Sequence, residues 1–144
     1  MIKVVLDANI FVSAVIKPRS NPGAVLNLIH SDRILLATSP DILAEVDRVL
    51  LYPKLQRLHG LSPKEISLFI IDISTDAHVT PGRIKLEVIE KDPTDNKYLE
   101  CAIEAEADYI ISGDRHLTDI EIYEDIRIVD PSTFLQIYSE YKQK

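Results

Sequence analysis

Four carboxylates carry the chemistry this sequence offers. Asp7 interrupts the apolar run VVLDANIFVSAVI, standing between Leu6 and Ala8. An acid buried there without a partner would cost several kcal/mol. Asp114 follows the apolar segment YIIS by one glycine. If the segments before Asp7 and Asp114 are neighbouring strands of a parallel sheet, both acids lie outside strand carboxyl ends, where open α/β sheets bind ligands. Glu45, in the second turn of the helix after the second strand, and Asp95, opening the helix that leads into YIIS, are placed to join them. At about 5 Å and an effective dielectric near 20, each ionised pair repels by roughly 3 kcal/mol, and four acids make six pairs. Such a group takes up protons or binds cations. All-oxygen donors without clustered His or Cys suit Mg²⁺ or Mn²⁺ rather than zinc. An ion of that kind, keeping most of its waters, activates one as a nucleophile and stabilises charge on a phosphate, which gives Asp7 a role as a metal ligand.

Taken singly, three of the four have plainer readings. Asp95 reads equally as a helix cap. Glu45 reads as a solvated helix residue or an ion pair with Arg48, and Asp114 as a turn aspartate. Only Asp7, apolar on both sides, resists, although a turn or cap role stays open for it too. The combination carries the weight.

The elements that must position these acids alternate along the chain. Lys3 to Leu6 reads as a short buried strand, and a helix runs from near Asn9 to Ile16, where Pro18 and Asn21-Pro22-Gly23 interrupt it. GAVLNLIHS reads as a second helix and RILLATS as a second strand. Ser39 and Pro40 start the helix SPDILAEVDRVLLY, with Ile42, Val46, Val49 and Leu50 along its apolar face, and Ser62-Pro63 repeats that start. TDAHVTPG and KLEVIE compete for one strand. DPTDNKYLECAIEAEA is a turn and then a helix capped by Thr94 or Asp95, with Leu99, Ala102, Ile103 and Ala107 facing inward. DYIISGDRHL is a strand, and IRIVDPSTFLQIYSEY a last strand, turn and helix before a frayed KQK tail. This order predicts right-handed crossovers and a three-layer α/β/α sandwich around a central parallel sheet of about four to five strands.

The 144 residues suffice for a single domain, 1–144, with a real core, since 46% are hydrophobic. Sixteen basic against 23 acidic residues leave a net charge of -7, which argues against broad phosphate neutralisation but not against an enzyme reaching nucleic acid through bound cations. Near the site, Lys17 and Arg19 before a proline-rich loop and Arg115 and His116 beside Asp114 offer local positive charge to a phosphate backbone, and they read equally as solvated loop. The single cysteine, Cys101, forms no internal disulfide and reads as core filler in a cytoplasmic chain. No stretch approaches the roughly 18 apolar residues of a membrane span, and no leader pattern precedes the first strand, so a soluble, unprocessed protein is expected.

The four acids in order, with LDANIFVSA, SPDILAEV, DPTDNKYLECA and SGDRHL around them, resemble the PIN-domain family of nucleases nearly end to end. Their wording is similar to the branch identified with toxin components of toxin-antitoxin systems. The resemblance implies that Asp7, Glu45, Asp95 and Asp114 are the catalytic, metal-binding acids, with Asn9 and Ser112 orienting them, as an amide and a hydroxyl can. Asp92, three residues before Asp95, competes with it for the third position, and Asp119 is a weaker addition. It further implies a Mg²⁺- or Mn²⁺-dependent ribonuclease acting on RNA, held inactive by a small antitoxin and homodimeric. The alternatives are a PIN-like protein-interaction module whose acids are a relic, and a phosphotransfer domain. The latter is disfavoured by Asn9 where a second aspartate would stand and by the lack of a lysine after IRIV.

Overall fold

A computed structural model describes residues 1–90 and 92–143. Along them run β1 (Lys3–Leu6), α1 (Ala8–Ile16), α2 (Asn21–His30), β2 (Leu35–Thr38), α3 (Pro40–Leu50), α4 (Pro53–His59), α5 (Pro63–Asp76) and β3 (His78–Val79). A 3₁₀ turn (Pro93–Asp95) then leads to α6 (Asn96–Ala105), β4 (Tyr109–Ile111), α7 (Arg115–Thr118), β5 (Ile122–Tyr123), β6 (Ile126–Val129) and α8 (Pro131–Lys142). The sheet order is β3-β2-β1-β4-β6-β5. Every neighbouring pair is parallel except β5 with β6. Helices cover both faces, giving the three-layer α/β/α architecture that the alternation predicts. The sheet has six strands rather than four or five because the two-residue strands β3 and β5 extend its edges.

From β1 the chain builds outward through β2 to β3, then returns to lay β4 on the other side of β1. The crevice between β1 and β4 is therefore the topological switch point, and Leu6 pairs in register with Ile111 at its mouth. Both strands are too deeply covered to alternate: Val4, Val5, Leu6, Ile110 and Ile111 are fully buried, as expected of central parallel strands. Helix starts follow the side chains that satisfy free N–H groups. Ser39 caps α3, and Ser62 with Glu65 forms a reciprocal capping box on α5, each ahead of a proline.

The segment containing KLEVIE makes no strand, because its N–H groups go elsewhere. Asn96, Glu100 and Glu104, four residues apart on one face of α6, take them in turn. Glu104 accepts from Gly82 and Arg83, Glu100 from Leu86, and Asn96 from Val88 and Ile89. Of the two candidates for a strand, His78 and Val79 supply it. Ala107 is buried but lies beyond the end of α6. Helix α4 gives no apolar stripe to read, having no buried residue, and α7 is a single turn. In the tail, α8 continues through Lys142 instead of fraying there, and Lys144 lies outside the described residues. Cys101 is buried beside Thr80, as core filler should be.

Candidate active site

Two strand ends bring the first acids together. Asp7 donates its N–H to the Ile111 carbonyl (3.0 Å), which locks the residue after β1 onto the end of β4. The residue is only 4% exposed. One oxygen, Oδ1, caps α1 by accepting the Asn9 N–H at 3.1 Å, and the other, Oδ2, accepts the Ser112 hydroxyl at 2.7 Å. The cap reading that the sequence left open for Asp7 therefore holds, and it accounts for one oxygen. Ser112, fully buried, also accepts the Asp114 N–H at 2.9 Å, so one hydroxyl fixes the acid of β1 and the backbone of the acid after β4. Asn9 is exposed, and its contribution to Asp7 is the main-chain N–H rather than the amide. Asp114, partly exposed, accepts the His116 N–H at 2.8 Å.

Asp95 arrives from the opposite side, at the end of the 3₁₀ turn. It occupies the cap position of α6, yet its side chain makes no capping bond. It is 8% exposed, and its Oδ2 is buried with no hydrogen-bond partner. Burial, followed by the charges of Asp92, Asp7 and Asp114, pushes its carboxyl up to about 7. The side chain of Asp114 lies within hydrogen-bonding reach of it. Two carboxylates both accept, so that contact bonds only when a proton lies between them and repels otherwise. Asp92, half-buried, accepts the Thr94 hydroxyl and reaches Asp95 through its charge and through its carbonyl, which takes the Asp95 N–H.

Glu45 is held differently. Its Oε1 takes Lys97 Nζ at 3.1 Å and, more loosely, Arg48 at 3.4 Å, while its Oε2 accepts the Tyr98 hydroxyl at 2.6 Å. The ion pair with Arg48 is the plain reading of this residue, and it is present. The Tyr98 hydroxyl in turn accepts the Ala8 N–H at 3.1 Å, linking Glu45 to the residue after Asp7. Burial and the Asp7 and Glu45 carboxylates raise the Tyr98 phenol well above its ordinary range, so it stays a donor. Neither Tyr98 nor Lys97 stands out in the sequence. The one usable signal was that a tyrosine buried in a helix needs a partner for its hydroxyl.

Among the described residues no three Asp, Glu, His or Cys side chains form a ready-made metal cage. The donors nevertheless suit a hard divalent cation: all are oxygens, and Asp95 brings a buried, donorless carboxylate oxygen into the company of Asp7, Asp92 and Asp114. A cavity of about 810 Å³ opens along Glu45, with Arg48, Lys97, Leu86 and Ile89 in its wall, and Asp7, Asp92, Asp95 and Asp114 do not line it. Lys17 and Arg19 lie past the far end of α1 from Asp7, whereas Arg115 and His116 adjoin Asp114 and are exposed.

A doubly wound α/β sheet with aspartates gathered at its switch point belongs with the open α/β folds that bind ligands outside the carboxyl ends of their strands. The family is narrower: the model of the PIN domain matches residues 3–116, and the chain belongs to the PIN-domain family. That match takes in all four acids and stops short of β6 and α8. An uncharacterized protein of Methanocaldococcus jannaschii is 36% identical over 119 residues, covering 83% of this chain and 75% of that protein. PIN domains are generally nucleases and typically use divalent metals. No helix among the described residues is long and apolar enough to cross a membrane.

Proposed function

We propose that residues 1–144 act as one metal-dependent endoribonuclease, with Asp7, Asp95, Asp114 and Glu45 as the acids that hold Mg²⁺ or Mn²⁺. The observation that carries this reading is the buried, donorless Oδ2 of Asp95 among three like charges. A fold that merely needed a helix cap there would satisfy that oxygen, and leaving a buried acceptor unpaired costs about 1–3 kcal/mol or more. When bound, the ion supplies a water of lowered pKa and positive charge for the phosphate that is cut. The chain's own groups do the rest. Ser112 turns Asp7 Oδ2 and fixes the Asp114 backbone, and Tyr98 keeps Glu45 tied to the start of α1. Exposed Arg115, adjoining Asp114, is placed to meet the RNA backbone.

By the same resemblance the protein works in the cytoplasm as the toxin of a toxin-antitoxin pair, as a homodimer restrained by a small antitoxin. The deciding experiment incubates a mixed single-stranded RNA pool with purified protein in Mn²⁺, Mg²⁺ or EDTA, alongside Asp7→Asn, Asp95→Asn and Asp114→Asn. Metal-dependent products from the wild type alone are expected. Equal cleavage by wild type and variants would assign the activity to a contaminant and remove the proposal. A folded wild type that cuts nothing under any condition would favour the interaction-module reading.

A further inference from the structure

Of the four acids, Glu45 alone is already neutralised. Lys97 Nζ lies 3.1 Å from one of its oxygens, which the exposed Arg48 guanidinium also reaches at 3.4 Å, and the Tyr98 hydroxyl lies 2.6 Å from the other, while Asp95 faces like charges without a donor on its Oδ2. Lys97 is not a loose surface lysine. Its side chain is 12% exposed, its ammonium stands 4.9 Å from the centre of the Tyr98 ring, and its second hydrogen bond, at 2.8 Å, goes to the carbonyl of Thr94. Thr94 immediately precedes Asp95 in the 3₁₀ turn. One ammonium thus ties the carboxylate of α3 to the turn that presents Asp95.

We propose that Lys97 is a resident counter-ion that competes with the divalent cation for Glu45 and so sets the metal affinity of the site. This rests on the reading of the acids as a metal centre. A carboxylate oxygen engaged by an ammonium is a poorer donor to a second cation, and the ammonium itself repels an approaching divalent ion. Glu45 therefore enters the metal set only as its pair with Lys97 opens. With Lys97 in place, the empty site keeps its fourth carboxylate neutralised, and binding has to displace that charge. Lys97 acts through Glu45 and is a positioning residue; no contact with substrate is assigned to it.

The test is calorimetric titration of the full chain with Mn²⁺, which reads binding without activity. Lys97→Gln is expected to bind Mn²⁺ about tenfold or more tightly than wild type, and Lys97→Arg, which keeps the charge, to stay within about threefold of it. In a Glu45→Gln background the gain from Lys97→Gln is expected to vanish. Circular dichroism confirms that each variant is folded, and Lys97→Met, which retains the aliphatic stem against Tyr98, replaces Lys97→Gln should that variant unfold. Unchanged or weaker binding by the folded, charge-free variant overturns the inference while leaving the metal centre standing. An equal gain with Glu45→Gln overturns the route through Glu45. No Mn²⁺ binding by wild type or any variant overturns the metal centre and this inference with it.

Discussion

Replacing Asp95 by asparagine should make the metal-free protein more stable, and the size of the gain should depend on pH. Burial and the surrounding acids lift the Asp95 carboxyl from 3.8 to about 7. Well below its ordinary value of 3.8 the group is protonated in both folded and unfolded chains and costs nothing. As pH rises, the unfolded chain ionises first while the folded one keeps its proton, so stability is lost steadily until the pH has passed about 7. The full penalty is of the order of a few kcal/mol, more than half of it accruing between about pH 5 and pH 8. For a chain of this length that is roughly 5–10 °C in Tm. Asparagine has the same shape, carries no charge at any pH and offers an N–H₂ to Asp114.

The assay is thermal unfolding in EDTA across about pH 5 to 8, comparing wild type with Asp95→Asn so that acids titrating in both cancel. The variant should melt several degrees higher at about pH 8 and the two curves should converge toward about pH 5. Mn²⁺ at about 100 times its Kd should then add about 2.7 kcal/mol to the wild type and much less to the variant. Parallel curves, or a variant less stable than wild type at high pH without metal, would refute the idea that Asp95 is held as a charge awaiting a cation.

Three further variants follow from the same structure. Tyr98→Phe deletes the hydroxyl that Ala8 and Glu45 share, leaving a buried N–H unpaired, and should cost about 1–3 kcal/mol in urea unfolding and weaken RNA cleavage; a variant neutral in both would show that hydroxyl to be idle. Gly23→Ala would place a methyl group 2.0 Å from the Pro18 carbonyl oxygen, so a loss of about 2–3 kcal/mol is expected, and a midpoint equal to wild type would mean the Pro18 loop yields freely. Glu124 and Asp125 join β5 to β6 with φ of 49° and 68°, the conformation of a two-residue hairpin that favours Asn-Gly. Glu124→Asn with Asp125→Gly should therefore raise stability by about 1 kcal/mol, whereas a lower melting temperature would show those acids making contacts that outweigh the turn strain.

The parts of the molecule legible in the sequence are those whose signals are local. Strand–helix alternation announces the doubly wound sheet, Ser-Pro pairs announce α3 and α5, and an aspartate between Leu6 and Ala8 is costly enough to demand a partner before any fold is known. What stayed hidden depends on a distant partner. No local signal marks Asn96, Glu100 and Glu104, yet their acceptors hold the 82–89 segment, which by composition alone competes for a strand. Strand β5 ends in a turn made by two acids rather than by glycine, so its hairpin carries no turn signature. Lys97 and Tyr98 belong to a helix whose apolar spacing was read from Leu99 onward, and nothing local says that they meet Glu45 more than fifty residues earlier in the chain.

The four acids, alike in the sequence, differ in how each charge is met. Asp7 receives an N–H and a hydroxyl, Asp114 an N–H, and Glu45 a lysine, an arginine and a phenol. Asp95 is left with a proton to share or none. Hydrogen bonds to neutral donors orient a carboxylate while leaving its charge in place, whereas an ammonium cancels it. Uncompensated charge therefore concentrates on the aspartates at the β1–β4 switch point and is withdrawn from Glu45. On the proposed metal centre a divalent cation gains most where that charge is densest, which makes Asp95 the acid whose loss should most reduce binding and Glu45 the one that the proposed counter-ion role of Lys97 would hold back.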